Sequence, residues 1–105
     1  MDYPELRIWL DDKRPMPHGY DIHCTKARIV IELIMKGIVT KVSLDHDLGD
    51  EAEFGNGYMV AKCIEEQAYL RAIPRIEWHI HSQNSVGVAS MRQALQNADR
   101  YWDGA

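Results

Sequence analysis

Short apolar runs of period two alternate along this chain with longer stretches in which apolar residues recur every three to four positions. Leu6 to Leu10 puts Leu6, Ile8 and Leu10 on one face and predicts a first strand, which runs into Asp11-Asp12. Two prolines and a glycine in Lys13 to Gly19 exclude a regular helix and predict an extended loop over the domain, then a short strand from Tyr20 to Cys24. Thr25 is a fitting N-cap for a helix that carries Ala27, Val30, Ile31, Ile34 and Ile38 at helical spacing and closes on Gly37. Thr40 to Asp45 reads as the next strand, and Leu48 to Gly57, rich in glycine and acids, as loop. A second helix is expected from about Tyr58 to Arg71, with Val60, Ala61, Ile64 and Ala68 inward, and Pro74 separates it from a strand over Arg75 to His81. Asn84 or Ser85 can cap a third helix whose inner face carries Val88, Met91, Leu95, Ala98 and Trp102.

Strands alternating with helices of this length imply parallel pairing through right-handed crossovers, hence a small α/β sandwich. Three of the strands end in polar chemistry: Asp11-Asp12 after the first, Asp45 to Asp50 after the third and His81-Ser82 after the fourth. In open parallel sheets ligands bind outside the carboxyl ends of the strands, where strand order reverses. Asp11, Asp12, Asp45 and Ser82 are therefore expected to converge although they are far apart in sequence.

Composition narrows the function. A chain of 105 residues, 46% hydrophobic and 27% charged, supports a single domain over 1–105 with one small core. Its formal net charge of -4 lacks the broad basic surface of a nonspecific DNA binder, while a short or end-specific nucleotide ligand stays open. No apolar run approaches the roughly 18 residues of a membrane span, and no basic-then-apolar leader opens the sequence, so a cytoplasmic protein is expected. Cys24 and Cys63 fall on different elements without C-x-x-C spacing, which points to reduced, partly buried thiols.

Asp11, Asp12 and Asp45, if ionised and close, repel one another unless a cation lies among them. Their hard oxygen donors suit a divalent metal, magnesium or manganese; the alternative is that each aspartate caps a separate turn. Asp47 and Asp50 either reach the ion or shape the loop, and Asp50, Glu51 and Glu53 read as solvated. His46, between two aspartates, suits a general acid or phosphate donor, with a structural hydrogen bond as the competing explanation. His79 and His81 share a strand face; His79 is expected to be covered by a helix, leaving His81 to reach the site. His81-Ser82-Gln83-Asn84 sets an imidazole, a hydroxyl and an amide before a helix N-terminus, a setting for phosphate as well as for an ordinary N-cap. Arg14 either clamps a phosphate or pairs with a nearby acid. Trp9, Trp78 and Trp102 are assigned to the core.

Leu10-Asp11-Asp12-Lys13-Arg14-Pro15, Ser43-Leu44-Asp45-His46-Asp47-Leu48-Gly49-Asp50, Gly57-Tyr58 and His81-Ser82-Gln83-Asn84-Ser85-Val86-Gly87, followed by Met91, together resemble the cyclic-phosphate-processing receiver family, a reduced branch of the response-regulator receivers. The resemblance implies a receiver-like (flavodoxin-like) three-layer α/β sandwich, with a four-stranded parallel sheet of order 2-1-3-4. The proline loop stands in place of the first receiver helix, and a fifth strand with its terminal lysine is missing. By the same resemblance Asp11 and Asp12 match the magnesium-holding pair, Asp45 the phosphoacceptor and Ser82 the hydroxyl that contacts the phosphoryl group. His46, Asp47, His81 and Asn84 belong to the additional pattern of the cyclic-phosphate branch. Met59 departs from the family, which usually has an aspartate there, and Ser85 replaces a usual proline.

The expected activity is a metal-dependent phosphoesterase or phosphotransfer reaction on a cyclic phosphate of a nucleotide or RNA end. Asp11, Asp12 and Asp45, with Asp47, would hold the ion; His46 and His81 would move protons beside Asp45; Ser82, Asn84 and Arg14 would orient the anion. The rival is a noncatalytic module that binds or sequesters a cyclic nucleotide, or that docks a protein partner through its helical surface.

Overall fold

In the computed structural model, which describes residues 5–104, the first period-two run is strand β1 (Leu6–Leu10). Then follow β2 (Ile22–Cys24), α1 (Ala27–Met35), β3 (Val39–Leu44), α2 (Glu51–Phe54), α3 (Gly57–Tyr69), β4 (Glu77–Ile80) and α4 (Ser85–Trp102). All neighbouring strands pair in parallel and the sheet order is β2-β1-β3-β4, a receiver-like α/β fold. The chain leaves β1 for one edge and returns past it to β3, so strand order reverses at β1 and β3, where a crevice opens at the carboxyl ends.

Register sets which side chains share a face. Ile8 pairs with Val42 and Val42 with Trp78; Leu10 pairs with Leu44 and Leu44 with Ile80. Ile8, Leu10, Val42 and Leu44 are fully buried and meet Val30 and Ile34 of α1, Val60 and Ile64 of α3, and Met91 and Leu95 of α4 in one core. The intervening residues, Trp9, Ser43 and His79, line up on the opposite face. Trp9 is buried there against the edge of Tyr20, at 5.4 Å, so the proline loop and its sequel cover the sheet where a helix does not. Trp78 and Trp102 pack partly buried against the core, each anchored through its indole N–H, to Asp99 and to the carbonyl of Ile73.

Local chemistry explains most of the element ends. Gly37 takes φ +74° and donates its N–H to the Ile34 carbonyl, closing α1 as its position suggested. Asn84 caps α4 by accepting from the Gly87 N–H at 2.9 Å. The sequence reading needs correction in three places. The N-cap of α1 is Lys26 and not Thr25, and no side chain caps it, because burial of Ala27, Val30 and Ile34 holds this helix without a cap. The stretch Leu48 to Gly57 is not all loop: Asp50 accepts from the Ala52 N–H and starts the single-turn helix α2. His79 is not covered by a helix: it is exposed and bonds Glu77 at 2.8 Å. Cys24 and Cys63 are free thiols, and burial pushes both above the ordinary thiol range. Among the described residues no helix is long and apolar enough to cross a membrane.

Candidate functional site

The sheet ladder runs one residue past three strand ends and so delivers the site. Asp11 donates its N–H to the Cys24 carbonyl, Asp45 to the Leu10 carbonyl and His81 to the Leu44 carbonyl, at 3.0 to 3.1 Å. Three strand-end residues far apart in sequence thus stand side by side. One carboxylate oxygen from each of Asp11, Asp12 and Asp45 lies within 4.8 Å of the others, Asp11 and Asp45 being buried.

Asp11 is the best-held of the three. Its Oδ1 accepts from the backbone N–H groups of Lys13 (2.7 Å) and Arg14 (2.9 Å). Its Oδ2 accepts from Arg14 Nη1 (3.1 Å) and His81 Nε2 (2.9 Å). Burial alone would raise this carboxyl, but the four donors outweigh it and hold Asp11 below the usual carboxylate range. An ionised Asp11 makes His81 Nε2 the protonated nitrogen, so Nδ1 accepts from the Ser43 hydroxyl at 2.7 Å. The His81 ring also stacks on Trp9 at 3.8 Å, 5° from parallel. Burial pushes the His81 imidazole below its ordinary range despite the raising effect of Asp11.

These two shifts act in the same direction with pH. His81 binds its proton more weakly in the folded protein, so the stability tied to its neutral form is complete above about pH 6.5 and declines as the pH falls below that value. The contribution of Asp11 is present above its unfolded range near pH 4 and is lost as the pH drops through its lower folded value. The metal-free protein is expected to show a melting temperature that falls in two steps on acidification. His81→Gln should remove the step that begins as the pH falls below about 6.5, and an unchanged profile in that variant would refute the assignment.

The facing wall comes from the start of α4. Ser82 Oγ accepts from the Asn84 N–H at 3.1 Å, which leaves the hydroxyl proton to donate into the cleft. While its Oδ1 caps α4, Asn84 donates Nδ2 to both oxygens of Asp47, at 3.2 and 3.3 Å. Asp47 also bonds His46 Nδ1 at 2.8 Å, and His46 first, then Asn84, hold this exposed carboxyl below its usual range. Asp11, Asp12, Lys13, Arg14, Asp45, Asp47, Ser82, Gln83 and Asn84 surround an open cleft of about 580 Å³. That volume falls among small-molecule sites, roughly 300–1,000 Å³.

Of the residues singled out from sequence, the carboxylates, Arg14, Ser82 and Asn84 line this cleft together, whereas the rings of His46 and His81 do not. His46 lies over Gly87, where an added Cβ would meet its ring at 2.5 Å. The sequence reading gave no individual role to Ser43, Lys13, Gln83 or the two close-approach glycines, Gly57 and Gly87, although all lie in the motifs quoted, and it left Trp9 in the core. The available signal for Ser43 was a small hydroxyl inside an apolar strand, in phase with the polar residues of the neighbouring strand. Nothing local marked Trp9 as the support of His81.

The donor set could hold a metal ion. Three carboxylates converge, and the structure already answers their charge with a cation: Arg14 Nη1 stands 3.1 Å from Asp11 Oδ2 and 3.7 Å from Asp45 Oδ2. Asp45 Oδ1 is turned away and accepts from the His46 N–H at 2.8 Å, so its Oδ2 is the atom presented to the cluster. Compared with known families, residues 6–97 match the model of the cyclic-phosphate processing receiver domain. No curated protein and no solved structure matches the chain.

Proposed function

The chain belongs to the cyclic-phosphate processing receiver domain family, and from that premise we propose that it is a metal-dependent phosphoesterase or phosphotransfer protein acting on the cyclic phosphate of a nucleotide or RNA end. The observation that carries the proposal is the pairing, across one cleft, of three carboxylates with the anion-suited start of α4. Asp11, Asp12 and Asp45 would hold the divalent ion, with Asp47, which lines the same cleft, as a further candidate ligand. When bound, such an ion neutralises the carboxylates and polarises a phosphoryl oxygen.

The remaining roles belong to the chain's own groups. The Ser82 hydroxyl and the Asn84 side chain orient the phosphoryl oxygens, and Arg14 supplies a positive, forked donor. In the covalent variant Asp45 would form an aspartyl-phosphate, the cyclic P–O bond opening as the new bond forms. His46 commits Nδ1 to Asp47 and has no partner for Nε2 among the described residues, so Nε2 is the nitrogen through which this ring would exchange a proton with the ligand on turning into the cleft that it does not line. His81 has both nitrogens engaged and moves a proton only by giving up Asp11 or Ser43; meanwhile it fixes Asp11.

A second reading has its own observation. Because neither imidazole lines the cleft, the pocket also suits a module that retains a cyclic nucleotide without opening it. The two are separated by incubating the purified protein, with magnesium or manganese, with 2',3'-cyclic mononucleotides, cyclic-ended RNA and cyclic dinucleotides. Ring-opened product is the expected result, with a melting temperature raised by the metal. Ligand recovered unopened in stoichiometric amount would replace the enzyme with the binding module, and neither product nor retention would remove both.

A further inference from the structure

A single nitrogen, Arg14 Nη1, bridges two of the three clustered carboxylates. It donates to Asp11 Oδ2 at 3.1 Å and to the His81 carbonyl at 3.2 Å, and lies 3.7 Å from Asp45 Oδ2. A carboxylate has about four lone-pair positions, and all four of Asp11 are taken, by Lys13 N, Arg14 N, Arg14 Nη1 and His81 Nε2. A cation cannot bond Asp11 until one donor leaves. The backbone N–H groups are fixed by the turn after β1, and His81 is clamped between Trp9, Ser43 and its own strand. Arg14 alone is held by a flexible stem, with its side chain 40% exposed and bordering the cleft.

Resting on the reading of the cluster as a divalent-cation site, we infer that Arg14 is an internal counter-ion which the cation displaces, and that the released guanidinium becomes the clamp for the phosphoryl group. Charge balance gives the exchange its logic. With no cation bound, Arg14 relieves the repulsion among Asp11, Asp12 and Asp45; with one bound, the two positive centres repel and the guanidinium turns toward the anion. Its backbone stays in place, because the Arg14 N–H remains on Asp11 Oδ1 and the Arg14 carbonyl accepts from Trp9 Nε1 at 3.3 Å. Metal and phosphate are therefore coupled: the ion frees the arginine that the anion needs, and by linkage the anion tightens the ion. A simple electrostatic background would give Lys13, which also lines the cleft, a comparable effect on the metal; the exchange gives it to Arg14 alone.

The test measures binding of magnesium alone, by calorimetry, to wild type, Arg14→Gln, Arg14→Lys and Lys13→Gln, then of inorganic phosphate to each protein saturated with magnesium. Arg14→Gln should bind magnesium about tenfold more tightly than wild type, Lys13→Gln within about twofold, and phosphate should bind Arg14→Gln about tenfold more weakly. Arg14→Lys keeps the charge and serves if the glutamine variant does not fold; its magnesium affinity should rise less than that of Arg14→Gln, or stay at the wild-type value. In wild-type protein with labelled arginine, the Arg14 side-chain resonance should shift on adding magnesium before any phosphate is present. Equal magnesium affinity in wild type and Arg14→Gln, or an equal gain in Lys13→Gln, overturns the exchange while leaving the metal site standing. Absence of magnesium binding in every protein removes the metal reading and the exchange with it.

Discussion

Asp45→Asn is expected to reduce turnover of a cyclic phosphate to background while the protein stays folded. Asparagine has the same shape and keeps an oxygen for the His46 N–H, the 2.8 Å bond that fixes the side chain in the native structure. What changes is charge. The cluster drops from three carboxylates to two, and the oxygen presented to Arg14 and to the cleft is replaced by an amide or loses its negative charge. Loss of an outer-shell partner costs metal sites about 10–100-fold in affinity or activity, and loss of a ligand should cost more. In the covalent variant the nucleophile disappears as well. The measurement is product formation and magnesium affinity at matched folded concentration, with circular dichroism to verify the fold. Turnover within threefold or so of wild type would remove Asp45 from the chemistry, since a carboxylate at the centre of a metal site cannot be that dispensable.

Gly57→Ala should be the most destabilising conservative change near the site. A Cβ at Gly57 would lie 2.0 Å from the carbonyl oxygen of Asp45 and 2.8 Å from Met91 Sδ. The methionine end can swing aside, but the carbonyl is part of the backbone that carries the site. Helix α3 begins here in direct contact with the strand end: the Gly57 N–H donates to the His46 carbonyl at 3.0 Å, and Asn56 pairs with Asp47 in an isolated bridge. Overpacking of this kind costs about 3 kcal/mol or somewhat more when backbone must move. For a domain near 100 residues that corresponds to a fall in melting temperature of more than about 10 °C. Gly37→Ala is the comparison, because nothing lies within 4 Å of an added Cβ there and only its φ of +74° opposes the change, a cost of roughly 1–2 kcal/mol. Thermal melts of the two variants decide the matter: if Gly57→Ala melts no lower than Gly37→Ala, the close approach of α3 to Asp45 is not the constraint inferred here.

The two variants separate chemistry from architecture. Asp45→Asn should leave stability almost unaltered and remove function, whereas Gly57→Ala should damage function only through the position of Asp45 and His46. The glycine belongs to the Gly57-Tyr58 pair that helped carry the family resemblance. Its physical reason is proximity, since φ at this position is not in the left-handed region.

The sequence by itself determined the type and order of the main elements, because period two and period 3.6 are properties of a one-dimensional pattern. It also determined that Asp11, Asp12, Asp45 and Ser82 would meet, since parallel strands present their carboxyl ends at one edge, and the sheet order implied by the family motifs is the order found. Asn84 was legible as a cap for the same local reason. The one-turn helix α2 was not, because four residues are too few to show a period. Only the tertiary structure decided the partners of the polar groups. Arg14 was open between an acid and a phosphate, and its position on Asp11, Asp45 and the His81 carbonyl follows from β4 standing two strands away. His81 meets Asp11 across 70 residues and Ser43 across 38, contacts fixed by strand register and invisible to local spacing. Gly57 and Gly87 owe their necessity to atoms on other elements, Asp45 and His46. Hydrophobic periodicity chooses the elements and their inner faces, and packing in three dimensions chooses which charges touch.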